Sequence, residues 1–242
     1  MKKLGIALLV LLVIAAGALF WLRGNLDGLV RNAIAKYGSE MTQAKVSVGG
    51  VKITAANGEG IISDLNIGNP KGFKTAYAFK VKEFTVVIDP ASIAGDVVTV
   101  RKIAIIAPDV IYEKNDTTTN FDAIQKNIAD YLGPSESKPG KKLIVEELTI
   151  QGAQAQASAA FMDGKTVNVS LPDITLRNLG KAKGGITPGE LGQEIAGALK
   201  KQLSSAVSFD KLSKAVSEKA GEAAQAAKDS GGKALDKVKS LF

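Results

Sequence analysis

Apolar residues change their spacing five times along this chain. Leu4 to Leu22 is a run without one charged residue. Leu26, Leu29, Val30, Ala33, Ile34 and Tyr37 then recur three and four residues apart, which predicts a helix over 25–42 with Gly38 as a stop signal. From Lys45 the period drops to two. Val46, Val48, Val51 and Ile53 surround a Gly49-Gly50 pair that should bend or bulge the strand. Asn57-Gly58 marks a turn, and further strands are predicted over 60–67, 79–89, 97–106 and 110–113. A helix follows over 121–131, with Asn120 as its N-cap and Phe121, Ile124, Ile128 and Leu132 as its stripe. Residues 133–142, rich in Gly, Pro, Ser and Lys, read as a linker. Strands resume over 143–150, 153–161, 166–171 and 173–177, with a hairpin turn at Asp163-Gly164. Beyond Thr187-Pro188-Gly189-Glu190, a capping-box pattern, the chain becomes helical. Leu191, Ile195, Leu199, Leu203 and Val207 form one stripe there. A second helix starts near Ser208 or Asp210 and breaks at Gly231-Gly232.

These elements add up to an α+β protein: about nine strands joined mainly by short turns, then carboxy-terminal helices. The short turns argue for an antiparallel meander and against βαβ units. Several strands are apolar on more than one face near their centres. A curled sheet with a shielded inner face explains this, and so does a sheet with helices on both sides.

The first run sets the setting. About 20 apolar residues in a helix cross a bilayer, and Leu4 to Leu22 meets that length. Trp21 suits a membrane interface and Arg23 can snorkel beyond it. A retained anchor is the reading adopted. A signal peptide cut near Ala16-Gly17-Ala18 is the competing one, although its apolar core would be shorter. Lys2 and Lys3 favour an amino terminus in the cytoplasm and a body outside it.

Charge and composition narrow the chemistry. Net charge is +7, from 31 basic and 24 acidic residues. The stretch from Gly180 to Phe242 holds 11 Lys against 7 Asp and Glu. A basic tail behind an anchor fits an anionic membrane surface as readily as nucleic acid, and a solvated helix face as readily as either. Aromatic residues are not interleaved with a basic stripe, which argues against a nucleic-acid platform. The chain has no His and no Cys, which removes Ser-His-Asp and Cys-His nucleophiles and the usual zinc sites. Gly58-Glu59-Gly60 lacks the remainder of a dinucleotide loop. Glu146 and Glu147, adjacent in a strand, should point to opposite faces. No catalytic residue, metal or cofactor is expected.

One loop carries more. Asp64 to Phe73 reads Asp-Leu-Asn-Ile-Gly-Asn-Pro-Lys-Gly-Phe. Pro70 forces extended geometry on Asn69, Gly72 permits a tight reversal, and Phe73 can fold back on the sheet. The loop follows an apolar run, an amphipathic helix and a glycine-containing strand. It precedes Phe84-Thr-Val-Val-Ile-Asp89-Pro90, then Val100 to Glu113, then Asn120-Phe-Asp-Ala-Ile124. This ordered set resembles the amino-terminal region of AsmA-like proteins of the bacterial envelope over roughly residues 1–130, and more loosely to Leu179. Asn69, Pro70, Gly72 and Phe73 are its motif residues.

The resemblance implies an inner-membrane anchor (1–23, bounded by Leu4, Trp21 and Leu22), a juxtamembrane helix (24–43) and a periplasmic, strongly curved antiparallel sheet (44–180). It also implies an apolar trough, for which Phe84, Val86 and Ile88 are the candidate lining, and a role in outer-membrane and lipid homeostasis. Partners would be the inner membrane, a phospholipid or another envelope protein, with no nucleic acid. Nine strands make a trough of only ~43 Å, so holding a lipid tail is favoured over bridging an envelope. The helical tail (186–242) lies outside the family pattern. It motivates a second reading, a structural or stress-protective scaffold that binds a partner or membrane surface through Leu191, Ile195, Leu199 and Leu203.

Overall fold

The computed structural model describes residues 26–54, 56–133, 141–218 and 221. The anchor residues Leu4, Trp21 and Leu22 and most of the expected linker lie outside them. Among the described residues, no helix is long and apolar enough to cross a membrane.

The first of two compact units runs to Ala206. It opens with helix α1 (Leu26–Thr42), followed by β1 (Val46–Ser47), β2 (Gly50–Thr54), β3 (Glu59–Ile67), β4 (Phe79–Ile88), β5 (Val97–Ile106) and β6 (Asp109–Lys114). Helix α2 (Asn120–Leu132) separates these from β7 (Lys142–Gln151), β8 (Gln154–Ala159), β9 (Val167–Val169) and β10 (Ile174–Leu179), and helix α3 (Pro188–Ala206) closes the unit. In the second unit, 207–242, residues 209–218 are helical. The fold class is therefore α+β. The expected boundary of the tail moves, because α3 belongs to the body.

The ten strands form one open sheet, and it is not wholly antiparallel as expected. β5 runs parallel to β7, and β6 parallel to β8. The cause is the excursion from Lys114 to Lys142. The 13 residues of α2 rise ~20 Å and carry the chain back along the sheet. β7 therefore restarts beside β5 in the same direction, as parallel pairing requires.

Pairing offsets simplify the sheet further. Ile106 faces Gln151 and Asp109 faces Gln154, so β5–β6 against β7–β8 keeps one offset across the gap. The same holds for β4 against β5 and β6, for β7 and β8 against β10 and β9, and for β3 against β2 and β1. The ten strands are thus six lines side by side. A seam crosses them at Gly49, at Asp64 (φ 52°), at Ala107 (φ 48°) with Pro108, and at Gly152 (φ 62°). It ends where Asp173 Oδ1 accepts from Gly152 N at 2.9 Å. A second break runs through the register shift at Val87/Ile88 and through Asn178 (φ 54°). Its ladder gap falls at Arg101 and Glu146.

Each break shifts the phase of side-chain alternation by one residue. Buried positions along β5–β6 run Val98, Val100, then Ile103, Ile105, then Val110 and Tyr112 on the same face, with Ile111 and Glu113 buried on the other face of β6. Along β7–β8 they run Leu143, Val145, then Leu148, Ile150, then Ala155, Ala157. This phase shift produces the two-faced apolar pattern of these strands. It also corrects the expected width: six lines span ~29 Å.

On the inner face the apolar residues form rows across all six lines. One row is Val51, Ile62, Phe84, Ile105, Ile150 and Ile174. The next is Ile53, Gly60, Val86, Ile103, Leu148 and Leu176. The helices supply the other half of the core: Ala33 and Tyr37 from α1, Phe121, Ile124 and Ile128 from α2, and Ala196, Leu199 and Leu203 from α3. The Tyr112 and Phe121 rings lie 6.2 Å apart, tilted. Asn127 Nδ2 of α2 donates to the Thr42 carbonyl at the end of α1 (2.8 Å).

The capping box at α3 closes in both directions. Thr187 N donates to Glu190 Oε2 at 2.7 Å, and Glu190 N to Thr187 Oγ1 at 3.2 Å. At α2 the expected cap is displaced by one residue: Thr119 is the N-cap, its hydroxyl accepting from Asp122 N, and Asn120 begins the helix. The Asn57-Gly58 turn needs its glycine. Gly58 has φ 70°, and a Cβ there would sit 2.1 Å from the Ile88 carbonyl oxygen.

Lys200 of α3 pairs with Asp122 of α2. Burial works against the Asp122 charge. The Lys200 ammonium and the Thr119 hydroxyl outweigh it and hold the carboxyl below its usual range. A lowered carboxyl pKa stabilises the fold fully above the unfolded value near pH 4, and that stability disappears as pH falls through the folded value. Both side chains are partly exposed, so the pair contributes about 0.5 kcal/mol. Lys200→Met should lower stability above pH 6 by about 0.5 kcal/mol and leave it little changed near pH 2, so that the acid limb flattens in urea titrations between about pH 5 and pH 2. An unaltered acid limb would show that the pair contributes nothing.

Candidate functional site

The loop from Gly68 to Ala78 joins β3 to β4 and bonds to β6 from Ile111 to Glu113. Main-chain bonds fix both ends: Ala78 N donates to the Ile67 carbonyl, and Ile111 N to the Ala78 carbonyl. Pro70 is buried and Gly72 has φ 95°, so the reversal expected of Asn69-Pro70 and Gly72-Phe73 is made here. Phe73 is half-buried.

Beneath the loop is a polar cluster that is almost closed to water. Glu113 is 1% exposed and Asn120 is fully buried. The Glu113 carboxylate accepts from Lys74 N (2.7 Å), Thr75 N (2.9 Å) and Thr75 Oγ1 (2.6 Å). Asn69 Nδ2 donates to the Thr75 carbonyl (2.9 Å) and to Thr75 Oγ1 (2.8 Å). Asn120 Nδ2 donates to Asn69 Oδ1 (2.9 Å) and to the Ile111 carbonyl (2.7 Å). Its Oδ1 accepts from Glu113 N (3.1 Å) and Phe121 N (3.0 Å). Every member is satisfied, and the cluster therefore rigidifies. From outside, Lys74 Nζ reaches Asp163 Oδ1 of the β8–β9 turn at 2.7 Å.

The fold thus gathers Asn69, Glu113 and Asn120, which lie far apart in the sequence. Thr75, which links them, was missed. Its signal is weak, because one threonine in a polar loop reads as solvent-facing. Glu113 was visible only as a lone acid closing an apolar strand. With both carboxylate oxygens bonded to loop donors, the cluster fixes the loop.

Phe84, Val86 and Ile88 lie elsewhere, on the inner face of β4, and all three are half-buried. Further along the same rows Ile103, Ile105, Leu148 and Ile150 are buried. Toward the β2 edge Val51 and Ile53 are again half-buried, and Gly60 puts no side chain between Ile53 and Val86. The result is a half-covered apolar corner. It is at the end of the sheet where α1 begins, because Asp27 Oδ1 in the first turn of α1 accepts from Ile53 N at 3.2 Å. Leu29, 43% exposed, follows on the same helix.

Of the stripe expected to bind a partner, Leu199 and Leu203 are buried, and Leu191 and Ile195 half-buried. The stripe attaches α3 to its own body. Glu146 and Glu147 do not act as an opposed pair. Glu146 falls in the ladder gap, and Glu147 Oε2 holds Arg177 at 3.0 Å.

Other candidate chemistry is sparse. Among the described residues, no three acidic side chains are placed to hold a metal ion. Tyr131 on α2 is pushed up to about 12, first by burial and then by Glu40 and Tyr37 of α1. An open groove of about 680 Å³ lies between α2 and α3, lined by Gln125, Lys126, Gln193, Glu194 and Lys201 over Leu176. No family model, curated protein or solved structure matches this chain.

Proposed function

We propose that this chain is a non-enzymatic, AsmA-like protein of the bacterial envelope. The apolar 4–22 run holds it in the inner membrane with its body in the periplasm, and it holds lipid at an apolar sheet corner in outer-membrane and lipid homeostasis. The observation that carries this reading is the half-covered corner of Val51, Ile53, Phe84, Val86 and Ile88 at the α1 end. An acyl chain entering along Ile53, Gly60 and Val86 meets buried Ile103 and Leu148 next in the same row. The cluster beneath the Asn69 loop supports the reading, because it gives three pieces of the resemblance one shared task. A curved sheet would deepen the corner into a trough. At ~29 Å wide, such a trough holds a tail and is too short to bridge two membranes.

The test is lipid carried by the full chain after extraction in mild detergent, read by mass spectrometry. Val86→Asp should abolish phospholipid co-purification while leaving expression and the urea midpoint of the body close to the parent's. Equal lipid recovery from the variant would remove the corner from the mechanism.

A further inference from the structure

The end of the body that carries the α1 start also carries a set of lysines. Lys142 opens β7 there and is exposed. The turn after β10 holds exposed Lys181 and Lys183, and it returns against the same strand: Leu143 N donates to the Ile186 carbonyl at 2.7 Å and Ile186 N to the Leu143 carbonyl at 2.9 Å. A Cβ on Gly185 would sit 2.5 Å from Lys142 Cβ, so the turn and the strand start are in contact. The carboxylates nearby are partly spent. Asp89 pairs with Arg101 at 3.0 Å, Glu190 closes the α3 cap, and Asp96 is exposed. Helix α3 also begins at this end, adding the positive pole of a helix.

Two independent facts therefore coincide. The apolar 4–22 run precedes α1 by three residues in the sequence, and the end of the body where α1 is joined to the sheet is its lysine-bearing end. We infer that this end docks on the headgroups of anionic phospholipids, with Lys142, Lys181 and Lys183 as the contact. The body would then stand with its strands end-on to the bilayer and its apolar corner against the leaflet. This rests on the membrane reading above and gives it an orientation and a lipid class.

Each lysine near an anionic surface favours the docked state roughly fivefold, and three together roughly a hundredfold. The chain has no cysteine, so Ala182→Cys gives a single labelling site between two of the lysines. Asp116→Cys gives a control at the opposite end of β6, where the residue is exposed. Each full-length, dye-labelled variant is reconstituted into vesicles of phosphatidylcholine alone, or mixed with phosphatidylglycerol, and quenched with aqueous acrylamide. The inference expects shielding at position 182 in the anionic vesicles only. It expects none at 116, and loss of shielding when Lys142, Lys181 and Lys183 are all changed to Glu. Equal accessibility at 182 in both vesicles, or shielding that survives the triple change, overturns it. Alkaline carbonate extraction separates the two levels. If the chain stays with the vesicles while 182 is unshielded, only the docking inference fails. If carbonate removes the chain, the anchor reading fails and docking falls with it.

Discussion

Glu113→Ala should cost the fold about 3–5 kcal/mol, the scale for removing a buried charged hydrogen-bonding partner. The substitution strands two successive main-chain donors, Lys74 N and Thr75 N, and the Thr75 hydroxyl. It also leaves a void at a side chain 1% exposed. Against a total stability of about 5–15 kcal/mol for a domain, that loss brings the body close to unfolding. Thr75→Val is the graded comparison. It removes one hydroxyl, leaves Asn69 its bond to the Thr75 carbonyl, and should cost about 1–2 kcal/mol. Urea midpoints of the full chain at unchanged m-value measure both. A Glu113→Ala shift under about 0.5 kcal/mol, the range of ordinary surface changes, would mean that the loop is held by something other than this cluster.

Truncation after Gly185 should abolish the cooperative unfolding of the body, whereas truncation after Ala206 should leave its urea midpoint where it was. The first cut removes Ala196, Leu199 and Leu203, which complete the core. The second falls at the boundary between the two compact units. Leu203→Ala is the point-mutation version. The side chain has no exposed surface, and filled sites of this kind lose about 2–5 kcal/mol. If the protein cut after Gly185 still unfolds cooperatively at the parent midpoint, α3 is an appendage and the scaffold reading regains its stripe.

Local signals carried much of the fold. Val97–Ile106 has the bounds its pattern predicts. Thr187-Pro188-Gly189-Glu190 closes its box in both directions. Asp163 and Gly164, at φ 51° and 78°, do take left-handed backbone between β8 and β9, but within a longer connection that opens with a 3-10 turn over Ala160–Met162 and not as a two-residue hairpin. What stayed hidden depends on long-range arrangement. Strand direction after α2 depends on where a crossover lands, which no local period records. The seam was masked for a different reason. Asp64 and Ala107 take left-handed backbone without being glycine, so only their effect shows, as apolar residues that change phase within a strand. The site was legible in part. Asn69, Pro70, Gly72 and Phe73 marked the loop, but Asn120 read as a helix cap because asparagine is well suited to that role. Its burial beside Glu113 is a tertiary fact. Phe84, Val86 and Ile88 alternate cleanly, and they share one face of β4 as that period predicts.

The seam also bears on how this sheet avoids joining other sheets. An open sheet exposes two rows of unpaired main-chain donors and acceptors, which can template growth. Here one edge is β1–β2, split at Val48-Gly49 into pieces of two and five residues. Helix α1 blunts it further: Ser39 Oγ accepts from Val46 N at 2.9 Å and Asp27 Oδ1 from Ile53 N. The other edge is β9 and β10, pieces of three and six residues with Pro172 between them. An incoming strand could pair with only a few residues before meeting a proline or a left-handed turn. The breaks that shift the side-chain phase across the core therefore also protect the margins, and keep a chain so rich in β-structure from polymerising edge to edge.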